Sequence, residues 1–506
     1  MPLNRSALPS LLHNLELAMT DIHYENWEPV IGLEVHVQLN TKSKMFSRSL
    51  NQFGDEPNTN IDMVNTGQPG TLPILNKQAV KYAIQFGLAV NAEVARTSSF
   101  DRKSYFYPDN PRNFQITQFF NPIIRNGTVT CDVDGHTKHV KIVEAHLEDD
   151  TGMLKHFSSF AGVDYNRAGT PLLEVVSAPS MHSPKDASAF AMALKAIMQY
   201  LGVAECNMDQ GGLRMDANIS VRPKGDKTLR PKVEIKNMNS FHNMEMAIEA
   251  EIRRQIQAYT LNPNEDHAKA IQPGTYRFDL STRKTVMMRL KEDALDYRYF
   301  PEPDLVPIVL QEEEIEALKA TLPELPHQRF LRYISDLELP ADSASVLIND
   351  KYTSDFFEEA LPIAKNATSL CNWLISEFLG RFKEKGITLK ASNLKSENIG
   401  KLVRMIEEKV ITGRIAKQVA DDMLQNPEKD PEEIVKANPN YQPVSDIGVI
   451  EPIVDQILKD NPQSIADYKA GRTKAMAFLV GQVMKETKGK ASPSVVNDLI
   501  LKKISD

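Results

Sequence analysis

Cysteine is scarce: Cys131, Cys206 and Cys371 are the only three in 506 residues, and they stand far apart. They offer neither a disulfide framework nor a metal-binding pair, which fits a reducing compartment, the cytoplasm. Long apolar runs are missing, so no membrane span is expected. Leu11, Leu12, Leu15 and Leu17 lie near the start, but Glu16 and Asp21 interrupt them and no basic stretch leads, which argues against a signal peptide. Residues 1–26 read as an extension. Neither G-x-x-x-x-G-K-[ST] nor a strand-borne G-x-G-x-x-G occurs, so the common phosphate-loop folds are excluded. An excess of positive charge is lacking too. With 59 Lys and Arg against 67 Asp and Glu the net charge is −8, so a nucleic-acid partner requires a local basic patch.

Length alone predicts two to four domains. Residues 27–310 are rich in Pro, Gly and short β-like runs. From 311 onward nearly everything has helical periodicity, and the Pro-rich stretch Tyr299–Pro307 marks the seam. A second break near Ser392–Asn398 divides the helical part into 311–395 and a tail at 396–506. The fold class is therefore α+β: an antiparallel sheet with flanking helices, then an all-α domain and a small all-α tail module. Helix starts are legible. Ser183-Pro184 gives an N-cap and a first-turn proline, a second helix spans about Ser240–Tyr259, and further starts fall near Ser396, Thr412, Asp430-Pro431, Asp446 and Gln463.

Strict alternation carries the functional signal. Over Val30–Leu39, Leu33, Val35 and Val37 oppose Glu34, His36 and Gln38. Over Arg214–Arg222, Met215, Ala217, Ile219 and Val221 oppose Arg214, Asp216 and Asn218, and over Lys232–Lys236, Val233 and Ile235 oppose Lys232, Glu234 and Lys236. Such strands pack one side on helices and leave a wet, charged side. Glu34 and His36, two apart, are read as converging on one cation. Glu174 interrupts the apolar run Leu172–Val176, where a carboxylate needs a partner or a metal. Leu147–Gly152 reads as a turn crowding Glu148, Asp149 and Asp150. One imidazole with several carboxylates suits Mg²⁺ or Mn²⁺ better than Zn²⁺.

Longer motifs carry a resemblance. Ile31-Gly32-Leu33-Glu34-Val35-His36-Val37-Gln38, Arg102-Lys103-Ser104-Tyr105-Phe106-Tyr107-Pro108-Asp109 and His146-Leu147-Glu148-Asp149-Asp150 resemble motifs of the B subunits of glutamyl/aspartyl-tRNA amidotransferases. So do Asn166-Arg167-Ala168-Gly169-Thr170-Pro171, Arg214-Met215-Asp216-Ala217-Asn218, Lys232-Val233-Glu234-Ile235-Lys236-Asn237, Asp296–Pro301 and Phe478–Lys485. The resemblance implies a ligase that forms a carbon–nitrogen bond with glutamine as amide donor. It acts in a heterotrimer with a glutaminase A subunit and a small C subunit. Its substrate is tRNA(Gln) or tRNA(Asn) misacylated with Glu or Asp, whose side-chain carboxylate is phosphorylated by ATP and then amidated. It implies a cation site at Glu34, His36, Glu148 and Glu174, with Asp216 beside it and Lys232, Lys236, Arg167 and Arg289 toward ATP. Tyr105, Phe106 and Tyr107 are candidates to stack on the terminal adenosine. Where many relatives carry four zinc-binding cysteines, this chain has Ser47, Ser49, Asp62 and Asn65, so no structural zinc is expected. Two other readings stay open from the residues alone: a metal-dependent hydrolase and a non-catalytic tRNA-binding scaffold. In the tail, Lys469, Arg472, Lys474, Lys485, Lys488 and Lys490 against Glu486 suit a tRNA-binding patch.

Overall fold

The alternating stretch around Glu34 becomes the central strand of a nine-stranded sheet. The computed structural model describes residues 24–290, 296–441, 447–469, 471–472, 474–487 and 491–505. Residues 1–23 of the expected extension and the helix start expected at Asp446 lie outside them. The chain falls into two compact units, one ending at Gln328 and the other starting at Arg329.

In the first unit the strands are β1 (Trp27–Gln38), β2 (Glu93–Val94), β3 (Ile124–Val133), β4 (His136–Asp149), β5 (Pro171–Ser177), β6 (Leu213–Pro223), β7 (Val233–Met238), β8 (Gly274–Asp279) and β9 (Lys284–Leu290). Their order across the sheet is β9-β8-β7-β6-β1-β5-β4-β3-β2. Every pair is antiparallel except β7/β8. Those two run parallel because helix α3 lies between them in the chain, and a parallel pair needs such a crossover.

Helices α1 (Lys77–Ala89), α2 (Pro184–Tyr200) and α3 (Phe241–Leu261) supply the apolar layer. Ser183 caps α2 by accepting from the Asp186 N–H, with Pro184 in the first turn, and Ser240 caps α3 through Asn243. Phe190 and Leu194 of α2 and Ile248 and Ile252 of α3 share one core with Leu33, Val35 and Val37 of β1 and Leu173 and Val175 of β5. One face of the sheet is thereby buried, and the opposite face carries the polar series. The expected acid-rich turn begins later than predicted: Leu147, Glu148 and Asp149 close strand β4, and only Asp150 leaves it.

The second unit is helical and holds two cores. Helices α4 (Ala341–Ile348), α5 (Lys351–Ala364), α6 (Ser396–Glu407), α7 (Gly413–Gln425) and α8 (Pro431–Ala437) share a core containing Phe357, Phe378, Leu402, Val419 and Tyr441. The segment 396–441 thus packs with the helices that precede it. Helices α9 (Ile447–Asp460), α10 (Pro462–Lys469), α11 (Lys474–Glu486) and α12 (Pro493–Ser505) enclose a smaller core of Ile450, Leu479, Val483 and Ile500. Among the described residues no helix is long and apolar enough to cross a membrane.

Candidate active site

Register places the site. His36 of β1 lies opposite Glu174 of β5 on one side and Arg214 of β6 on the other. Glu174 in turn faces His146 of β4. One row across four strands therefore reads His146, Glu174, His36, Arg214. Side chains that neighbour each other on such a row stand about 5 Å apart. The His36 Nε2 is 3.2 Å from Glu174 and 3.9 Å from Glu148. The His146 Nε2 is 3.4 Å from Glu174 and 3.9 Å from Glu148. Glu148 is buried, and ligand atoms of His36, Glu148 and Glu174 all fall within 4.8 Å of one another.

The neighbouring row holds a second group. Glu34 faces Asp216, and Asn218 faces Glu234. Glu34, Asp216 and Glu234 again bring carboxylate oxygens within 4.8 Å. Lys236 pairs with Asp216 and Glu234 at 2.8 Å each, and Asn218 donates to Glu34 at 2.9 Å. Glu34 therefore does not share a cluster with His36.

Electrostatics follow from the crowding. Burial opposes the charge on His36, but Glu174 and Glu148 outweigh it and lift the imidazole to about 9. His146 is raised in the same way. Although burial opposes it, Glu174 is held well below the usual carboxylate range by the two imidazoles. Burial, with Glu174 and Glu234 adding repulsion, pushes Glu34 up. Protons on the histidines thus balance the acids, and a cation can replace them. Among the described residues the buried Nδ1 of His146 has no hydrogen-bond partner.

The remaining predicted residues are distributed around this centre. Arg167 donates to the carbonyls of Thr151 and Gly152 at 2.9 and 2.6 Å and lies 3.6 Å from Asp150. It is held as a buttress of the 150–152 turn. Arg214, which alternation alone marks only as one of a polar series, reaches Asp150 at 2.9 Å, as Gln38 does at 3.0 Å. Lys232 is exposed just before β7, and Arg289, on the edge strand, reaches the Thr275 hydroxyl at 3.4 Å. Phe106 and Tyr107 are exposed, at 72% and 57%, whereas Tyr105 is half-buried against Tyr297. Among Ser47, Ser49, Asp62 and Asn65, Asn65 donates to Ser47 Oγ and to Asp62 Oδ1 at 2.9 Å each, and the Ser49 N–H reaches Ser47 Oγ at 3.3 Å.

Residues 29–316 match the family described as GatB/GatE catalytic domain, and residues 355–504 match the GatB domain. The B subunit of the aspartyl/glutamyl-tRNA(Asn/Gln) amidotransferase of Protochlamydia amoebophila is 58% identical over 483 residues, covering 96% of this chain and 98% of that protein. Its namesake from Chlamydia abortus is 55% identical over 96% of this chain and its own full length, and that from Chlamydia caviae is 54% identical over 96% and 99%. This chain belongs to the amidotransferase B-subunit family. The region matching the catalytic domain contains both acidic clusters, on adjacent rows of the sheet's polar face.

Proposed function

We propose that the chain activates and amidates the side-chain carboxylate of tRNA-borne Glu or Asp. It works in the cytoplasm, in a heterotrimer with a glutaminase subunit and a small third subunit. The observation that carries this reading is the row His146–Glu174–His36–Arg214, closed by Glu148, on the open face of a sheet in a chain of the B-subunit family. ATP gives its γ-phosphoryl group to the carboxylate, forming an acyl phosphate and ADP. Ammonia then attacks the acyl carbon, inorganic phosphate leaves, and the nitrogen loses a proton. A carboxylate is a poor electrophile, so the phosphoryl group supplies the leaving group.

The donor sets fit cations. Glu34, Asp216 and Glu234 form an all-oxygen set that suits Mg²⁺. His36, Glu148 and Glu174, joined by His146, add imidazole and suit Mn²⁺ at least as well as Mg²⁺. A bound cation supplies charge neutralisation on the transferring phosphoryl group. Arg214, anchored by Asp150, points the same positive charge along the row, and Arg214 with Arg167 keeps the buried Asp150 carboxylate ionised. Lys236 and Lys232 extend that charge toward Arg289, and the exposed Phe106 and Tyr107 offer ring faces to a terminal base. tRNA binding is assigned to the tail, 396–506, and within it to the helices after Tyr441, which enclose their own core.

The test is amide formation on Glu-tRNA(Gln) and Asp-tRNA(Asn) by the reconstituted heterotrimer. Glu148→Gln and Glu174→Gln should each lose nearly all ATP-dependent product while remaining folded, and added ammonia should not restore it. Restoration by ammonia would assign both residues to ammonia delivery and sink the reading. Elemental analysis of the same preparation should find zinc well below one per chain. A stoichiometric zinc would overturn the expectation drawn from Ser47, Ser49, Asp62 and Asn65.

A further inference from the structure

A cavity of about 380 Å³ opens at the opposite end of β1 from the acidic clusters. Trp27 begins the strand and His36 lies nine residues on, about 30 Å away at the usual rise. The two also differ in parity. His36 points to the polar face, and Trp27 packs with the apolar layer beneath it. The cavity is thus remote from the reacting groups and on the other side of the sheet.

Its walls are Asn26, Trp27, Arg230, Tyr259 and His267, with the end of α3. The rings of Trp27 and Tyr259 stack at 5.8 Å and 12°, and His267 meets Tyr259 edge-on at 5.4 Å. The Arg230 guanidinium lies over both stacked rings, 5.1 Å from Trp27 and 4.6 Å from Tyr259. Among the described residues no carboxylate lies within ion-pair distance of it, although most arginines of this unit have one. Among the described residues the buried Tyr259 hydroxyl has no hydrogen-bond partner. A guanidinium held flat on aromatic faces keeps its outward N–H groups for an anion, and its own plane is a stacking surface. The volume lies within the range of small-molecule sites.

We propose that this cavity is a binding site for a free mononucleotide, a planar base carrying a phosphate, separate from the ATP-consuming centre. The phosphate pairs with Arg230 and the base stacks among Arg230 and His267. The chain has two tryptophans, Trp27 and Trp373, so Trp373→Phe leaves Trp27 as the sole emitter at the cavity wall. In that full-length background, without divalent cation, AMP should quench Trp27 emission saturably. Adenosine, which lacks the anion, and inorganic phosphate, which lacks the base, should each bind at least about tenfold more weakly. Arg230→Gln should raise the Kd for AMP about tenfold, and Glu148→Gln should leave it unchanged. The absence of a saturable response, or a response that survives Arg230→Gln, overturns the proposal. So does one abolished by Glu148→Gln, which would place AMP on the sheet's polar face. A trinucleotide that binds more tightly than AMP would make the occupant an RNA strand and equally end the free-nucleotide reading.

Discussion

On the proposed reading, His146 bears on which cation the polar face takes. A single imidazole among carboxylates leaves a hard, oxygen-dominated site, whereas two imidazoles flanking Glu174 favour Mn²⁺ more. His146→Ala should weaken Mn²⁺ binding to the isolated chain by roughly ten- to a hundredfold and affect Mg²⁺ less. Calorimetry or electron paramagnetic resonance of bound Mn²⁺ would show it, and unchanged Mn²⁺ affinity would remove His146 from the site. That Glu34, His36 and Glu174 sit on the polar face was legible in the sequence, through parity and an acid in an apolar run, but not that Glu34 and His36 fall into separate groups. His146 was not. Core-facing residues of β4 are Val140 and Ile142 and then Ala145 and Leu147, so the parity changes along the strand at the register shift opposite Val176 and Ser177. Read with the earlier parity, position 146 belongs to the core. Lys44 is a further residue whose environment the sequence hid. It is fully buried, and its ammonium donates to the Asn166 carbonyl and, at 3.3 Å, to the Thr170 hydroxyl. Burial lowers it from the ordinary 10.5 to about 8, against the pull of Asp150 and Asp62. Between those values the unfolded chain holds the proton and the folded chain does not, so stability rises with pH there. Below about 8 the fold carries the cost of a buried ammonium. Relative to Lys44→Met, the wild-type first unit should therefore gain up to ~3 kcal/mol between about pH 8 and pH 10.5. Denaturant unfolding followed by Trp27 emission at both ends of that window would measure it, and a flat difference would contradict the buried-ammonium account.

Helix boundaries were more readable than strand pairings, for a local reason. Caps are encoded within four residues, as at Thr412, whose side chain accepts from Ile415, and Asp430, which accepts from Glu432 ahead of Pro431. Pairings join distant segments: β1 takes partners from 171–177 and 213–223. The long hairpin β3–β4 is the exception with a local sign. Asp134 and Gly135 both have positive φ in its two-residue turn, the conformation an Asp-Gly pair favours, so this one pairing could have been read from two adjacent residues. Close helix contacts are likewise invisible in sequence. A Cβ at Gly400 of α6 would stand 2.8 Å from the Ala360 carbonyl oxygen and 2.9 Å from Ile363 Cβ of α5. Gly400→Ala gains about 1 kcal/mol of helix propensity but must push two packed helices apart. The second unit should lose about 1–3 kcal/mol net. Trp373, packed against that core, should report the earlier unfolding while Trp27 reports none. A stabilised variant would show that α5 and α6 yield easily.

The two cores of the second unit decide where the chain can be cut. Removing everything after Lys395 strips Leu402, Val403, Ile415 and Val419 from the larger core, so that truncation should unfold it. Ending at Tyr441 removes only the smaller core and leaves the larger one whole. If the tail binds tRNA, the chain ending at Tyr441 should keep its fold and show a raised KM for aminoacyl-tRNA with a shallower salt dependence. Unchanged KM and salt slope would discard the tail as a tRNA-binding element. Within its basic patch Arg472 pairs with Asp467 at 3.1 Å, and Lys488 and Lys490 lie outside the described residues. The central place of β1 has a consequence for synthesis. The strand bearing Glu34 and His36 leaves the ribosome first, but its second neighbour, β6, ends only at Pro223. At about 5–20 residues per second, that edge stays open for on the order of ten to forty seconds. During translation the nascent chain therefore exposes an unpaired, half-apolar strand edge, and a chaperone that shields it should raise the yield of active protein more than one acting on the finished chain.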